Sequence, residues 1–184
     1  MLAPTAALEA LAGVSETEPL GPGAAPCGTT TRDELLGVVR ALRDQHGFGH
    51  LAFVTAVDGV ADSGGLWVYY AFKRRSDTTT AMLRVWLDDA SLYVPSLYGL
   101  WPAAGPLERE VYDLFGVVFE GHPDLRRILM WDEFTDYPMR KDYAPPADYE
   151  WESTPHDDTL QRAAQAQGVV PPTSLTELEK AKKK

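Results

Sequence analysis

The stretch "LWVYYAFKRRSDTTTAMLRVWL", Leu66 to Leu87, sets the fold class. In its second half Ala81, Leu83, Val85 and Leu87 alternate with polar or bulky neighbours, so a strand here carries one apolar face while Arg84 points the other way. In its first half, residues 66–72, aromatic side chains fall on both faces, which suits an internal strand rather than an edge. The polar connection "KRRSDTTT" between them reads as a turn, so the two runs form a hairpin. Upstream, "LAFVTAV" (51–57) is a third strand. Before it, Thr31-Arg32-Asp33-Glu34 has the form of a capping box, with Leu35, Val38, Val39 and Leu42 at helical spacing until Gly47. Downstream, a second helix begins near Pro106, with Leu107, Val111, Leu114 and Val118 expected as its buried stripe and Gly116 as its end. The expectation is an α+β fold: a two-layer domain over 31–143, with a mixed β-sheet packed by two helices. Residues 1–30, rich in Ala, Pro, Gly and Thr, are expected to be irregular apart from a helical turn around Leu8–Leu11. Residues 144–184 carry five prolines between Tyr149, Trp151 and several acids, and are expected to form an extended tail that binds a partner.

Composition excludes several functions. A net charge of −10 and a pI near 4.8 oppose nucleic-acid binding, which needs basic charge. Nowhere do the roughly 18–20 consecutive apolar residues of a membrane span occur, and Met1 to Val14 lacks the charged start of a signal peptide. Any membrane association is therefore expected to be indirect. The single Cys27 holds neither a disulfide nor a cluster by itself, and a metal site needs three or four ligands, which His46, His50, His122 and His156 are not expected to bring together. Phosphate-loop, dinucleotide and serine-hydrolase signatures are absent.

What remains is the charged run "EREVYDLFGVVFEGHPDLRRIL", Glu108 to Leu129. Glu110 and Asp113 are the pair an acid/base hydrolase would use. On a helix, however, Glu108 and Glu110 project about 200° apart, and Arg109 lies at i, i+4 to Asp113, which points to an ion-paired face or an interface. His122, between Gly121 and Pro123, marks a tight turn and is expected to bond to backbone. Arg126, Arg127, Arg140 and Lys141 stand out in an acidic chain and suit paired contacts with carboxylates. No complete active site assembles.

Glu108-Arg109-Glu110-Val111-Tyr112-Asp113-Leu114-Phe115-Gly116, followed by Gly121-His122-Pro123-Asp124-Leu125-Arg126-Arg127, closely resembles the signature of the thirty-kilodalton subunit family of bacterial proton-pumping NADH–quinone oxidoreductase, respiratory complex I. "VPSLYGLWPAA" (94–104) and "YPMRKDY" (137–143), with Arg140, Lys141, Asp142 and Tyr143, extend the likeness, which is dense over 94–143 and collinear over 32–93. Gly105-Pro106 stands where that family usually has an Asn-Trp pair. The resemblance implies a non-redox scaffold of the peripheral arm, at the cytoplasmic face of the membrane. Catalytic, cofactor and metal residues are then expected to be none in this chain; FMN, iron–sulfur clusters and quinone belong to other subunits. Its expected partners are the subunits with the quinone pocket and the terminal cluster, and its signature residues are expected to be interface. The same signature also occurs in equivalent subunits of membrane-bound hydrogenases and of ferredoxin- or F420-linked dehydrogenases.

Overall fold

A computed structural model describes residues 2–59 and 64–144. The expected tail lies outside the described residues. Its elements in chain order are α1 (Pro4–Glu9), β1 (Val14–Pro19), β2 (Pro26–Thr30), α2 (Leu35–His46), β3 (His50–Asp58), β4 (Gly65–Lys73), β5 (Thr80–Asp88), β6 (Tyr93–Pro95), α3 (Ala104–Phe115) and β7 (Val118–Glu120). A five-stranded sheet runs β1-β2-β5-β4-β3, and β6 pairs with β7 separately. β4 pairs antiparallel with both β3 and β5, whereas β2 joins β5 in parallel, so the sheet is mixed. The fold is α+β with a mixed sheet.

The hairpin has the register its pattern implies, with Tyr70 opposite Leu83 and Val68 opposite Val85. Leu66, Val68, Tyr70 and Phe72 share a fully buried face with Ala81, Leu83, Val85 and Leu87. The apolar stripe of α2 (Leu35, Val38, Val39 and Leu42) belongs to that same core. Thr31 and Glu34 hydrogen-bond side chain to side chain at 3.0 Å ahead of the helix, and Gly47 ends it in the left-handed region. On the opposite face Arg84 lies 4.6 Å over the Trp67 ring, donates to Thr29 Oγ1 and pairs with Glu18 at 2.9 Å. Trp67 and Trp86 meet edge to face at 5.0 Å, so this face is largely covered by its own side chains.

Two expectations are corrected. Residues 1–30 are not irregular: they supply α1 and two strands of the main sheet. Composition hid this because β2, Pro-Cys-Gly-Thr-Thr, is short and nearly featureless, and gains its order from β1 on one side and β5 on the other. Gly28 is there for space, since a Cβ would stand 2.9 Å from Val14 Cγ1 and 3.2 Å from Leu83 Cδ2. Cys27 beside it is buried, and burial pushes its thiol up to about 11, which keeps it unreactive near neutrality. The second correction concerns α3. Val111 is buried, but Leu107 and Leu114 are half-buried and Val118 lies exposed in β7. Polar residues fill the missing places: Glu108 and Asp113 have no exposed surface.

Candidate interaction site

Helix α3 starts where the chain turns out of the loop after β6. Pro106 occupies its first turn, where a backbone N–H has no helical partner. Gly105 lets the Tyr98 ring come close; a Cβ there would meet Tyr98 Cε2 at 3.2 Å. One turn on, the Glu108 carboxylate accepts from Ser96 Oγ at 2.6 Å and from the Leu97 N–H at 2.7 Å. Ser96 Oγ in turn accepts from the Tyr98 N–H. Glu108 thus ties the 95–101 loop to the helix. Burial pushes its carboxyl up to about 7, against the lowering effect of Ser96 and of the Leu97 amide.

Asp113 does the same on the other side. Its Oδ2 accepts from the successive N–H groups of Ile128, Leu129 and Met130 at 3.0, 2.7 and 2.9 Å. Its Oδ1 takes the Arg127 guanidinium at 2.7 Å. Burial alone would raise this carboxyl, but the three amides and Arg127 outweigh it and hold the group below the usual range. Arg127 also donates to the carbonyls of Asp113 and Asp136, and Arg109 donates to those of Arg126 and Arg127. The expected Arg109–Asp113 pair is therefore replaced by two separate clamps, both on the arm of chain that follows β7.

That arm, residues 121–144, has no helix or strand and is held by side chains instead. His122 bridges backbone: its Nδ1 accepts from the Asp124 N–H at 3.0 Å and its Nε2 lies 3.2 Å from the Gly105 carbonyl. This fixes the Nε2-protonated tautomer, and leaves no ring nitrogen for a metal. Gly116 adopts φ +82°, and a Cβ there would sit 2.7 Å from the Tyr137 ring, so glycine alone admits the returning arm. Met139 N–H bonds to the Leu114 carbonyl, Arg140 pairs with Asp89 at 2.6 Å and Asp142 at 3.0 Å, and the Lys141 amide reaches Asp58. A cleft of about 360 Å³ among Tyr137, Arg140, Asp142 and Tyr143 therefore contains a guanidinium whose charge is already spent. Tyr143 packs near Phe134.

The signature residues thus divide. Glu108 and Asp113 have no surface with which to touch a partner, Tyr112 and Arg127 are half-buried, and Gly116 is enclosed. Glu110, Gly121, Pro123, Arg126, Lys141 and Asp142 are exposed. Glu110 and Asp113 do not converge: one faces solvent and the other is fully engaged with the arm. Sequence reasoning missed Ser96, Asp58 and Asp89 as anchors, because nothing local links them to positions far along the chain. It also missed the apolar side chains the arm turns outward, Ile128, Leu129, Trp131 and Met139.

The family model of the respiratory-chain NADH dehydrogenase 30 Kd subunit matches residues 29–149. The chain belongs to this 30 Kd subunit family. An NADH-quinone oxidoreductase subunit of Moorella thermoacetica is 42% identical over 118 residues, 64% of this chain and 79% of that one. Of five further relatives the chain spans between 19% and 71%. Among solved structures, the trypsin-resistant fragment of Nqo5 is 31% identical with a TM-score of 0.53, over 60% of this chain and 89% of the fragment. A chain of an archaeal respiratory membrane complex, the membrane-bound sulfane sulfur reductase, aligns over 92% of this chain and 91% of its own length. At 21% identity and a TM-score of 0.66 it shares the 30 Kd subunit fold. No helix among the described residues is long and apolar enough to cross a membrane.

Proposed function

We propose that this chain is a non-redox structural subunit of the peripheral arm of an NADH–quinone oxidoreductase, scaffolding the module in which quinone is reduced. In this reading FMN, iron–sulfur clusters and quinone are carried by other subunits, and the electron transfer they perform is coupled to proton translocation elsewhere. The chain sits at the cytoplasmic face of the membrane and is held there by its partners.

The observation that carries the reading is how the family's charged residues are used. Glu108, Arg109, Asp113 and Arg127 bind the chain's own loop and arm, so they build a rigid surface rather than a reacting centre. The names of the relatives at 31–42% identity, all NADH-quinone oxidoreductase subunits, support the choice of complex. The fold shared with the archaeal sulfane sulfur reductase chain is compatible with a second respiratory complex, but the sequence likeness favours the NADH-linked one.

Purification of the tagged chain from its native membrane tests this. NADH–quinone oxidoreductase subunits are expected in near-equal amounts with it, and the chain alone is expected to be colourless and inert toward NADH. A hydrogenase large subunit in their place, or a visible absorption band in the well-folded single chain, would sink the assignment.

A further inference from the structure

The arm carries a contradiction in its surface. Its backbone is fastened to the end of α3 by the amides of Ile128, Leu129 and Met130 on the buried Asp113 carboxylate and by that of Met139 on the Leu114 carbonyl. Yet Leu129, Trp131 and Met139 are 61%, 59% and 57% exposed, and Ile128 40%. A segment lacking regular structure would relieve that exposure by folding its apolar groups inward, unless it is held. Here it is held. Trp131 is itself braced edge to face against Phe134 at 4.8 Å, so the indole is presented in one orientation. An anchor ordered before contact spends little conformational entropy on binding.

The charge nearest the anchors in sequence is mostly acidic, although Arg126, paired with Asp124, and Lys141 are also exposed on the arm. Arg127 and Arg140 are consumed by Asp113, Asp89 and Asp142. Asp132, Glu133 and Asp136 flank Trp131 and Phe134 and are exposed. An apolar group flanked along the chain by exposed carboxylates suits a partner with an apolar socket and a rim of Lys or Arg. The same carboxylates oppose insertion into a bilayer, whose cytoplasmic surface is itself anionic.

We infer that the arm's outward face, with Leu129 and Trp131 as anchors and Asp132, Glu133 and Asp136 as the rim, is the docking surface for a protein partner with a basic-rimmed apolar socket. Glu108, Asp113, Arg109 and Arg127 are then the frame that holds this surface, not part of it. The inference rests on the proposed place in a multisubunit complex and names the contact chemistry there.

The test uses the full-length tagged chain, recovered from its native membranes. Trp131→Ala and Leu129→Ser are expected to cut recovery of the most tightly held partner about thirty-fold, as loss of a central aromatic anchor does. Asp132→Lys with Glu133→Lys is expected to do the same, and wild-type recovery is expected to fall with added salt. The replaced side chains are exposed and the backbone bonds to Asp113 are kept, so the melting temperature of the isolated chain should fall far less than it does for Asp113→Asn, the Trp131 variant losing only its ring contact with Phe134. Undiminished recovery with these variants overturns the docking surface while leaving the proposed function standing; no partner recovered even with wild type overturns both. Trp131-dependent binding of the isolated chain to phosphatidylglycerol vesicles, or Trp131 shielded from acrylamide in the isolated chain, also overturns it.

Discussion

Glu108 and Asp113 sit on one helix, both without exposed surface, and their surroundings push them in opposite directions. Among the described residues the partners of the Glu108 carboxyl are Ser96 and the Leu97 amide, and both are uncharged. The titratable group it faces is Tyr70, whose hydroxyl burial holds well above its usual range, with the Glu108 charge adding to the effect. The unfolded chain releases the Glu108 proton near 4.5, whereas the folded chain keeps it to about 7. Below the first value both states are protonated and the contribution is whole; as pH rises through the window the unfolded state is favoured, and by pH 8 the contribution is gone. A shift of this size corresponds to roughly 3 kcal/mol. Glu108→Gln should therefore flatten the fall in stability of the isolated chain between pH 5 and 8, read by urea unfolding. An identical slope in both proteins would refute it. Asp113 behaves in reverse. Its folded carboxyl is lowered from 3.8, so its contribution is present above that value and is lost as pH falls. Asp113→Asn leaves Arg127 without its counter-charge and turns an amide NH₂ toward backbone donors. The expected cost at pH 7 is about 3–5 kcal/mol, with the loss shrinking toward pH 3.

At the scale of elements, the joint between α3 and the arm depends on a single backbone position. Gly116 combines a left-handed φ of +82° with an aromatic ring where a Cβ would be. Alanine there incurs backbone strain and a clash together, so Gly116→Ala should destabilise by about 2–4 kcal/mol and open the arm to protease. The check is cleavage at Arg126 and Arg127 by trypsin, slow in wild type and fast in the variant; equal rates would mean the joint tolerates a side chain. Periodicity located β3, β4 and β5 to within a residue at each end, because alternation records which face is buried. The end of α2 was located by Gly47, whereas the expected N-cap, Thr31, stands four residues ahead of the helix, which starts at Leu35 with Glu34 before it. Periodicity could not read β2, whose order is conferred by neighbours from both sides, nor Asp113, whose partners lie on a segment that returns after a turn. The i, i+4 spacing of Arg109 and Asp113 was real, but the arm offered each a better bond than the other did.

For the whole molecule, the proposed scaffold role implies that damage to the signature should appear in assembly before it appears in chemistry. The signature was legible as belonging to a family and as charged, but its exposure was not: a run of acids and arginines reads as surface until a second segment closes over it. Glu108 and Asp113 act on the arm's position, and the arm carries the outward apolar side chains. A chain with Asp113→Asn is expected to reach the membrane fraction in reduced amount, because a loosened arm must be ordered at the moment of binding and the ordering entropy falls on that step. Complexes that do form have the arm pressed into place by their neighbours, so NADH–quinone turnover per assembled complex should stay near wild type. Quantifying the assembled complex by native gel alongside NADH–quinone activity separates the two quantities. Normal complex levels with abolished turnover would make the Asp113 carboxylate a participant in the chemistry and remove the distinction between frame and function on which the scaffold reading stands.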